Sequence, residues 1–170
     1  MFDGKLRGNR HLSDPGSPYP YVLLADIKAA NTAGGTFTAA ALRTRVLTYK
    51  LDDSNIFELD LNTNRFWSKV SGIFRFYISA PALNVGVHQA CLWNITTNKM
   101  EKEGTSEYSN ALCVTRSLIV GKLPITAGHK YEIQHICGTT GTTTGFGIAV
   151  NAILGGIKEV YTVAEFQKVG

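Results

Sequence analysis

The 170-residue sequence is poor in charged side chains, in proline and in long apolar runs. Charged residues make up 18% of it, below the roughly 25% of a typical soluble domain, so Thr, Ser, Asn and Gly must supply much of the polar surface. Apolar runs such as residues 21–25 are far shorter than the ~20 residues of a membrane-spanning helix, so we expect no membrane insertion. The 44% of hydrophobic residues excludes a disordered chain.

Only three cysteines are present, Cys91, Cys113 and Cys137, and none belongs to a Cys-x-x-Cys pair. Zinc sites need Cys or His ligands at short, paired spacing. His88 precedes Cys91 by three residues, which places the two side chains on opposite faces of a strand. We therefore expect free thiols in a reducing cytoplasm, with no metal and no cofactor.

The formal net charge is +4, but the 17 Lys and Arg residues are scattered along the chain. A nucleic-acid surface would gather basic residues on one face and place aromatic residues among them, so we expect no nucleic-acid partner. The first ten residues are polar and lack the apolar stretch of a secretion signal. Synthesis in the cytoplasm is the expectation that follows.

The first twenty residues differ from the rest of the chain. Residues 14–20 contain three prolines and a glycine, and proline lacks the N–H that a strand or helix interior requires. We expect residues 1–20 to form an extended anchoring arm and residues 21–170 to form one domain. The candidate anchoring residues of the arm are Phe2, Leu6, Arg7, Arg10 and Leu12.

From residue 21 onward the pattern is that of β-strands. Phe74, Phe76 and Ile78 share one face of a strand and Arg75 lies on the other, which is the expected period of two. Further strands are predicted at residues 21–27, 43–49, 56–61, 85–95, 113–123, 131–135, 145–150 and 159–167. Turn residues separate them, so the sequence predicts an all-β fold, a jelly-roll β-sandwich of about eight to ten antiparallel strands.

No catalytic constellation is apparent. The sequence has no Gly-x-Ser-x-Gly elbow and no glycine-rich phosphate loop, and neither His88 nor His135 has an obvious carboxylate partner. Glu58 and Asp60 share a strand face at a spacing that a glycosidase could use. An exposed polar face explains this pair more simply. We therefore predict a protein without catalytic residues.

Four segments follow one another in a recognisable order. Residues 65–76 hold a phenylalanine, a short connector, a glycine and an alternating aromatic strand; a strand with a small-then-large apolar pair follows at residues 87–94. A glycine turn with its strand occupies residues 125–133, and a closing strand occupies residues 160–166. This order resembles the jelly roll of tumour necrosis factors and complement globular heads.

Six short motifs carry a second resemblance. They lie at residues 21–24, 33–38, 43–45, 104–109, 132–135 and 145–147. In this order they resemble the C-terminal domains of bacteriophage tail fibres and other virion-surface proteins of the same jelly-roll type. Cys91 departs from that pattern, because a basic residue often occupies its place in the family. The resemblance implies a homotrimer that packs three protomers around an axis.

Such a trimer would bury one sheet face of each protomer. Four apolar residues lie on the apparently wrong face of the alternation, Tyr77, Trp93, Ile136 and Ile157. The candidate interface residues are Tyr77, Trp93, His135 and Ile136. A second sheet that covers the same side chains is the alternative.

Two polar segments are candidate loops for a host-surface receptor such as a glycan. The first, residues 104–110, offers Glu107, Tyr108 and Asn110. The second, residues 138–145, contains only Gly and Thr and offers Thr140, Thr142 and Thr143. Tyr, Ser, Asn and Thr suit adaptable polar recognition. A solvated connector is the alternative for the second segment.

The expected function is that of a non-enzymatic structural protein on the surface of a phage virion, made in the host cytoplasm. Its partners would be two further copies, the capsid or tail-fibre components that hold the arm, and a host glycan. It would act as a capsid decoration, a head fibre or a fibre tip. A soluble lectin-like or signalling trimer is the alternative, and a sugar-acting enzyme is a third.

Overall fold

The computed structural model describes residues 19–149 and 157–170, and these residues form strands and no helix. The all-β prediction is confirmed. The strands are β1 (Tyr21–Lys28), β2 (Arg43–Thr44), β3 (Tyr49–Leu51), β4 (Phe57–Asp60), β5 (Arg65–Ser68), β6 (Gly72–Leu83), β7 (Gly86–Asn94), β8 (Lys99–Ser109), β9 (Val114–Ile125), β10 (Tyr131–Cys137) and β11 (Glu159–Lys168). In this part of the chain no helix is long and apolar enough to cross a membrane.

The predicted anchoring residues Phe2, Leu6, Arg7, Arg10 and Leu12 lie outside the described residues. Only the last two positions of the predicted arm are described. There the carbonyl of Pro20 accepts a hydrogen bond of 3.0 Å from the backbone N–H of Lys168. The anchoring role of the arm stays a prediction.

The strands form two antiparallel sheets that face each other. One has five strands in the order β3-β1-β11-β6-β9, and the other has the order β4-β5-β10-β7-β8, with β2 paired to β10. The pairing of β6 with β9 runs without interruption from Gly72 opposite Ile125 to Leu83 opposite Val114. Because side chains alternate along a strand, this ladder fixes which residues of both strands face the second sheet.

The core between the sheets is built from phenylalanine. Phe57 and Phe66 of the second sheet meet Phe166 of the first at ring-centroid distances of 5.2 and 5.3 Å. Phe74 meets Phe57 edge-on at 5.5 Å. All four rings are buried, and tilted or edge-on contacts at these distances are favourable. Burial of this aromatic area is sufficient to hold two sheets together without a disulfide.

A smaller apolar cluster closes the other end of the sandwich. Its buried members are Phe37, Ala82, Val85, Cys137 and Phe146. Segment 34–37 and segment 141–147 meet there, and Phe37 and Gly141 exchange backbone hydrogen bonds of 2.9 and 3.0 Å. A Cβ at Gly145 would lie 2.7 Å from the Cβ of Phe37, so only glycine permits this approach.

The structure corrects the strand predictions at several places. Residues 43–49 form β2 and the start of β3, and the segment between them leaves the sheet because Arg45 enters the interior. Residues 145–149 form no strand, because their glycines dock on segment 34–37. The predicted loop 104–110 belongs largely to β8, an edge strand whose polar, mostly exposed side chains give no apolar period. β5 was also missed as a strand.

We expect the substitution Phe166→Ala to lower the free energy of unfolding by about 3–5 kcal/mol, because it empties the centre of the aromatic core. Leu61→Ala is the matched control, since Leu61 is 62% exposed and its loss should cost little. Denaturant unfolding of both variants measures the difference. Equal effects of the two substitutions would contradict the described core.

Candidate functional site

The outward face of the five-stranded sheet carries exposed apolar side chains. Phe76 and Ile78 point into the core, so Tyr77 between them points away from it. Tyr77 is 41% exposed, and its register partner Val120 is 55% exposed. We define the apolar face of this sheet by five exposed apolar side chains, which are Tyr49, Leu51, Ile73, Tyr77 and Val120.

A shallow cavity of about 320 Å³ lies in the apolar face and contains charged groups. Tyr21, Arg75, Tyr77 and Glu165 are among its lining residues. Burial and the neighbouring Glu165 carboxylate raise the pKa of Tyr21 to about 12. The phenol is therefore protonated at neutral pH, and its hydroxyl is available as a donor to the Glu165 carboxylate.

A second cavity, of about 590 Å³, lies at one end of the outer face of the other sheet. Val87 of β7 and Tyr108 of β8 are register partners in its lining, and each is 63% exposed. The remaining lining residues are His88, Gln89, Ser106, Glu107, Ile136, Cys137 and Gly138. We call this cavity the Tyr108 groove. Its lining includes the predicted receptor residues Glu107 and Tyr108, which lie on strand β8 and not on a loop.

The other predicted receptor residues lie outside the lining of the groove. Asn110 opens the hairpin turn between β8 and β9, and its side chain accepts a hydrogen bond from the backbone N–H of Leu112. Thr140 accepts a hydrogen bond of 3.0 Å from the N–H of Ala39. The side chains of Thr142 and Thr143 are exposed. Segment 138–145 is thus held by hydrogen bonds to segment 37–39. Its role in receptor binding stays a prediction.

A charged side chain crosses the interior between the two sheets. Arg45 is buried, and its guanidinium donates to the hydroxyl of Thr162 at 2.7 Å, to the carbonyl of Pro81 at 3.2 Å and to that of Phe146 at 3.3 Å. The group also lies 4.1 Å from the centroid of the Phe146 ring. Burial lowers the pKa of Arg45 to about 9, partly offset by the Asp26 carboxylate. The guanidinium is therefore charged at neutral pH.

Two buried histidines lie next to this cation. Nδ1 of His88 lies 3.0 Å from Nε2 of His135, and Nε2 of His88 lies 2.7 Å from the hydroxyl of Thr115. That hydroxyl donates its hydrogen bond to the carbonyl of Tyr108, so it accepts a hydrogen bond from Nε2–H of His88. Nδ1 of His88 in turn accepts a hydrogen bond from Nε2–H of His135. Nδ1 of His135 is then a buried acceptor without a hydrogen-bond partner among the described residues.

The environment keeps both imidazoles neutral. Burial, reinforced by the Arg45 charge, lowers the pKa of His135 well below its usual value. Burial also lowers the pKa of His88, against the opposing effect of Glu107. A proton on either ring would face a nearby guanidinium in a medium that solvates charge poorly.

The predicted trimer-interface residues do not share a surface, which corrects the sequence analysis. Tyr77 lies on the apolar face, whereas Trp93 and Ile136 lie on the outer face of the other sheet. His135 is 0% exposed and its ring packs at a tilt against that of Phe37, with the centroids 4.7 Å apart, so it cannot contact another protomer. Val120 and Glu165 lie on the same face as Tyr77 but are not among the predicted interface residues. The alternation of side chains within β9 and β11 is the sequence signal that identifies them.

The acidic pair of β4 is not arranged as a catalytic acid and base. Glu58 pairs with Lys69 at 2.9 Å, and the hydrogen bond from that lysine lowers the pKa of the carboxyl. Hydrogen bonds from Thr63 and Asn62 lower the pKa of Asp60. A general acid at neutral pH needs the opposite shift.

The cysteines and the remaining acidic and histidine side chains form no cluster of three that could hold a metal ion among residues 19–149 and 157–170. Cys91 and Cys137 are buried, and Cys113 is exposed at the turn between β8 and β9. All three are free thiols.

The arrangement of the two sheets is similar to that of several solved structures. Murine APRIL at pH 8.0 matches with a TM-score of 0.56 at 10% identity, over 89% of this chain and 99% of that one. The globular domain of zebrafish complement 1qA protein matches at 0.55 and 16%, over 89% and 97%. Eiger TNF from S. frugiperda matches at 0.56 and 11%, over 89% and 94%.

These likenesses show the fold, a jelly roll of the tumour-necrosis-factor and complement globular-head type, and they confirm the fold prediction. Neither a protein-family model nor a curated protein sequence matches the chain.

We expect the stability of the protein to fall as the pH is lowered from 7.5 to 5. An unfolded histidine has a pKa near 6.5, and the fold lowers that of His88 and His135, so the unfolded state binds more protons in this range. A histidine held neutral down to pH 5 would account for roughly 2 kcal/mol. His135→Gln should flatten the decrease, measured by denaturant unfolding at each pH. His129→Gln, at a partly exposed histidine, is the control, and an unchanged slope in His135→Gln would contradict the assignment.

Proposed function

We propose that the chain is a non-enzymatic, homotrimeric jelly-roll module in which three copies cover one another's apolar faces. The observation that carries this proposal is the exposure of the register partners Tyr77 and Val120 on the outward face of a sheet whose opposite face already forms the core. The alternative raised by the sequence, a second sheet over the same side chains, does not hold for Tyr77. The second sheet packs against the other face of β6.

Cyclic association accounts for such a face. An exposed contiguous apolar patch on a soluble protein marks an interaction site. A closed symmetric assembly removes the patch from water in every copy, whereas a non-closing contact would continue into filaments. Three copies around an axis is the arrangement that the sequence resemblance implies.

The non-enzymatic character is supported by the chemistry of the described residues. Their acidic pair on β4 carries lowered pKa values, and their two buried histidines carry neutral rings and lie between the sheets. Neither set offers a proton donor and acceptor to a bound substrate.

The Tyr108 groove is the proposed site for a partner of the trimer. It lies on the sheet opposite the apolar face, so trimer formation through that face leaves it open. The exposed Tyr108 ring gives an aromatic surface, and Gln89 and Ser106 add polar groups. Ring surfaces with adjacent amide and hydroxyl groups suit a neutral sugar, as expected for a host-surface glycan.

The setting of the trimer has two candidates. The resemblance of six sequence motifs to phage fibre domains favours a virion-surface protein held by residues 1–20. The likeness to murine APRIL and to Eiger TNF fits a soluble signalling or lectin-like trimer equally well. The arm separates the two, because only the virion role requires it.

We expect the protein to elute as one species at three times the chain mass of 18.5 kDa in size exclusion with light scattering. Tyr77→Asp and Val120→Asp should each dissociate it, because each places a charge in the apolar face. Val87→Asp is the matched control, since Val87 is as exposed but lies in the Tyr108 groove. A monomeric wild-type protein would contradict the proposal.

Deletion of residues 1–20 should leave the trimer mass per chain and the thermal stability unchanged and abolish incorporation into phage particles. The truncated and full-length proteins would be compared by light scattering and by immunoblotting of purified particles. Incorporation of the truncated protein at the full-length level would overturn the anchoring role and favour the soluble setting.

A further inference from the structure

A carboxylate lies at the middle of the surface that trimer formation would bury. β11 is the central strand of its sheet, and Glu165 projects from it between Leu23 of β1 and Tyr77 of β6. Burial of a carboxylate in an apolar interface is costly unless the charge is paired and its oxygens accept hydrogen bonds. The interface therefore needs a cation beside Glu165.

The protomer itself supplies only part of what Glu165 needs. Tyr21 lines the same cavity as Glu165, and its hydroxyl can donate one hydrogen bond to the carboxylate. Two carboxylate oxygens accept about four such bonds, so acceptor capacity is left over. Neither Glu165 nor Arg75 takes part in the ion pairs found within residues 19–149 and 157–170.

Arg75 is the cation nearest to this position in the sheet register. It lies opposite Gln167 on β11, one outward position along from the pair of Tyr77 and Glu165. Both charged side chains line the 320 Å³ cavity in the apolar face. A guanidinium forms paired, planar hydrogen bonds with a carboxylate, which makes Arg75 a suitable partner.

Threefold symmetry determines how these charges must be combined. Around a common axis, three copies of Glu165 approach one another and would repel, and the same holds for three copies of Arg75. An alternating arrangement removes both repulsions. We propose that Glu165 of each protomer pairs with Arg75 of the next, so that six charges alternate in sign around the trimer axis.

This inference rests on the proposed homotrimer and adds a specificity element to it. Apolar contacts alone permit the faces to slide or to pair in other numbers. A ring of alternating charges fixes the register, because any displacement would leave buried charges unpaired.

Charge reversal tests the pair. Arg75→Glu and Glu165→Arg, prepared separately, should each raise the concentration at which the trimer dissociates by at least roughly 30-fold, the effect of breaking a buried interfacial charge pair. The double variant Arg75→Glu/Glu165→Arg should form trimers again. Lys102→Glu, at an exposed position of β8, is the matched control for a change of charge and should have no effect. Circular dichroism and thermal unfolding establish that each variant is folded.

Mixing the two single variants distinguishes pairing between protomers from pairing within one. A mixed trimer has two complementary contacts of three, whereas each variant alone has none. Native mass spectrometry of the mixture should therefore show mixed trimers at a concentration at which each variant alone is dissociated. Folded single variants that remain trimeric, or a mixture that stays dissociated, would overturn the ion pair. If either result is obtained while the wild-type protein is trimeric, the ion pair is contradicted and the proposed homotrimer is not. A monomeric wild-type protein would contradict the ion pair and the homotrimer together.

Discussion

The structure depends on one constraint, the alternation of side chains in a sheet that has to be apolar on both sides. The inward positions of β6 and β11 supply half of the phenylalanine core, and the outward positions of the same strands supply Tyr77 and its neighbours. A sheet of this kind cannot leave either face in water at low cost. The first face is satisfied within the chain. The second is the face that the proposed trimer would cover, and the proposed pairing of its charges rests on that assembly.

Buried polar groups hold one end of the sandwich together, where the phenylalanine core does not reach. Arg45 donates hydrogen bonds to groups on the paired strands β6 and β11 and on segment 141–147, so one guanidinium ties that segment to the five-stranded sheet. The neighbouring imidazoles of His88 and His135 join β7 to β10 in the same region. These contacts occupy the histidines and the arginine that would otherwise be candidates for chemistry.

Sequence patterns were sufficient to predict the fold. They were insufficient to predict which strand faces are exposed to solvent. Strands with one buried face, such as β6, repeat with period two and were predicted almost to their ends. β8 was missed because an edge strand exposed on both faces carries no such period. His135 was misplaced because alternation cannot say whether a face meets solvent or the other sheet. The docking of Gly145 on Phe37 depends on a contact between residues far apart in sequence, which no local pattern contains.

The three thiols of the chain differ in reactivity, and this gives the protein a built-in attachment point for optical probes. Burial raises the pKa of Cys91 to about 11 and also raises that of Cys137, so both lack the thiolate that reacts with maleimides. Cys113 lies exposed beside Leu112, which is 97% exposed at the tip of its hairpin. A fluorophore would therefore attach once per chain without any mutation. In an assembly of three chains, the three dyes would form an equilateral triangle whose side length energy transfer can follow in single particles.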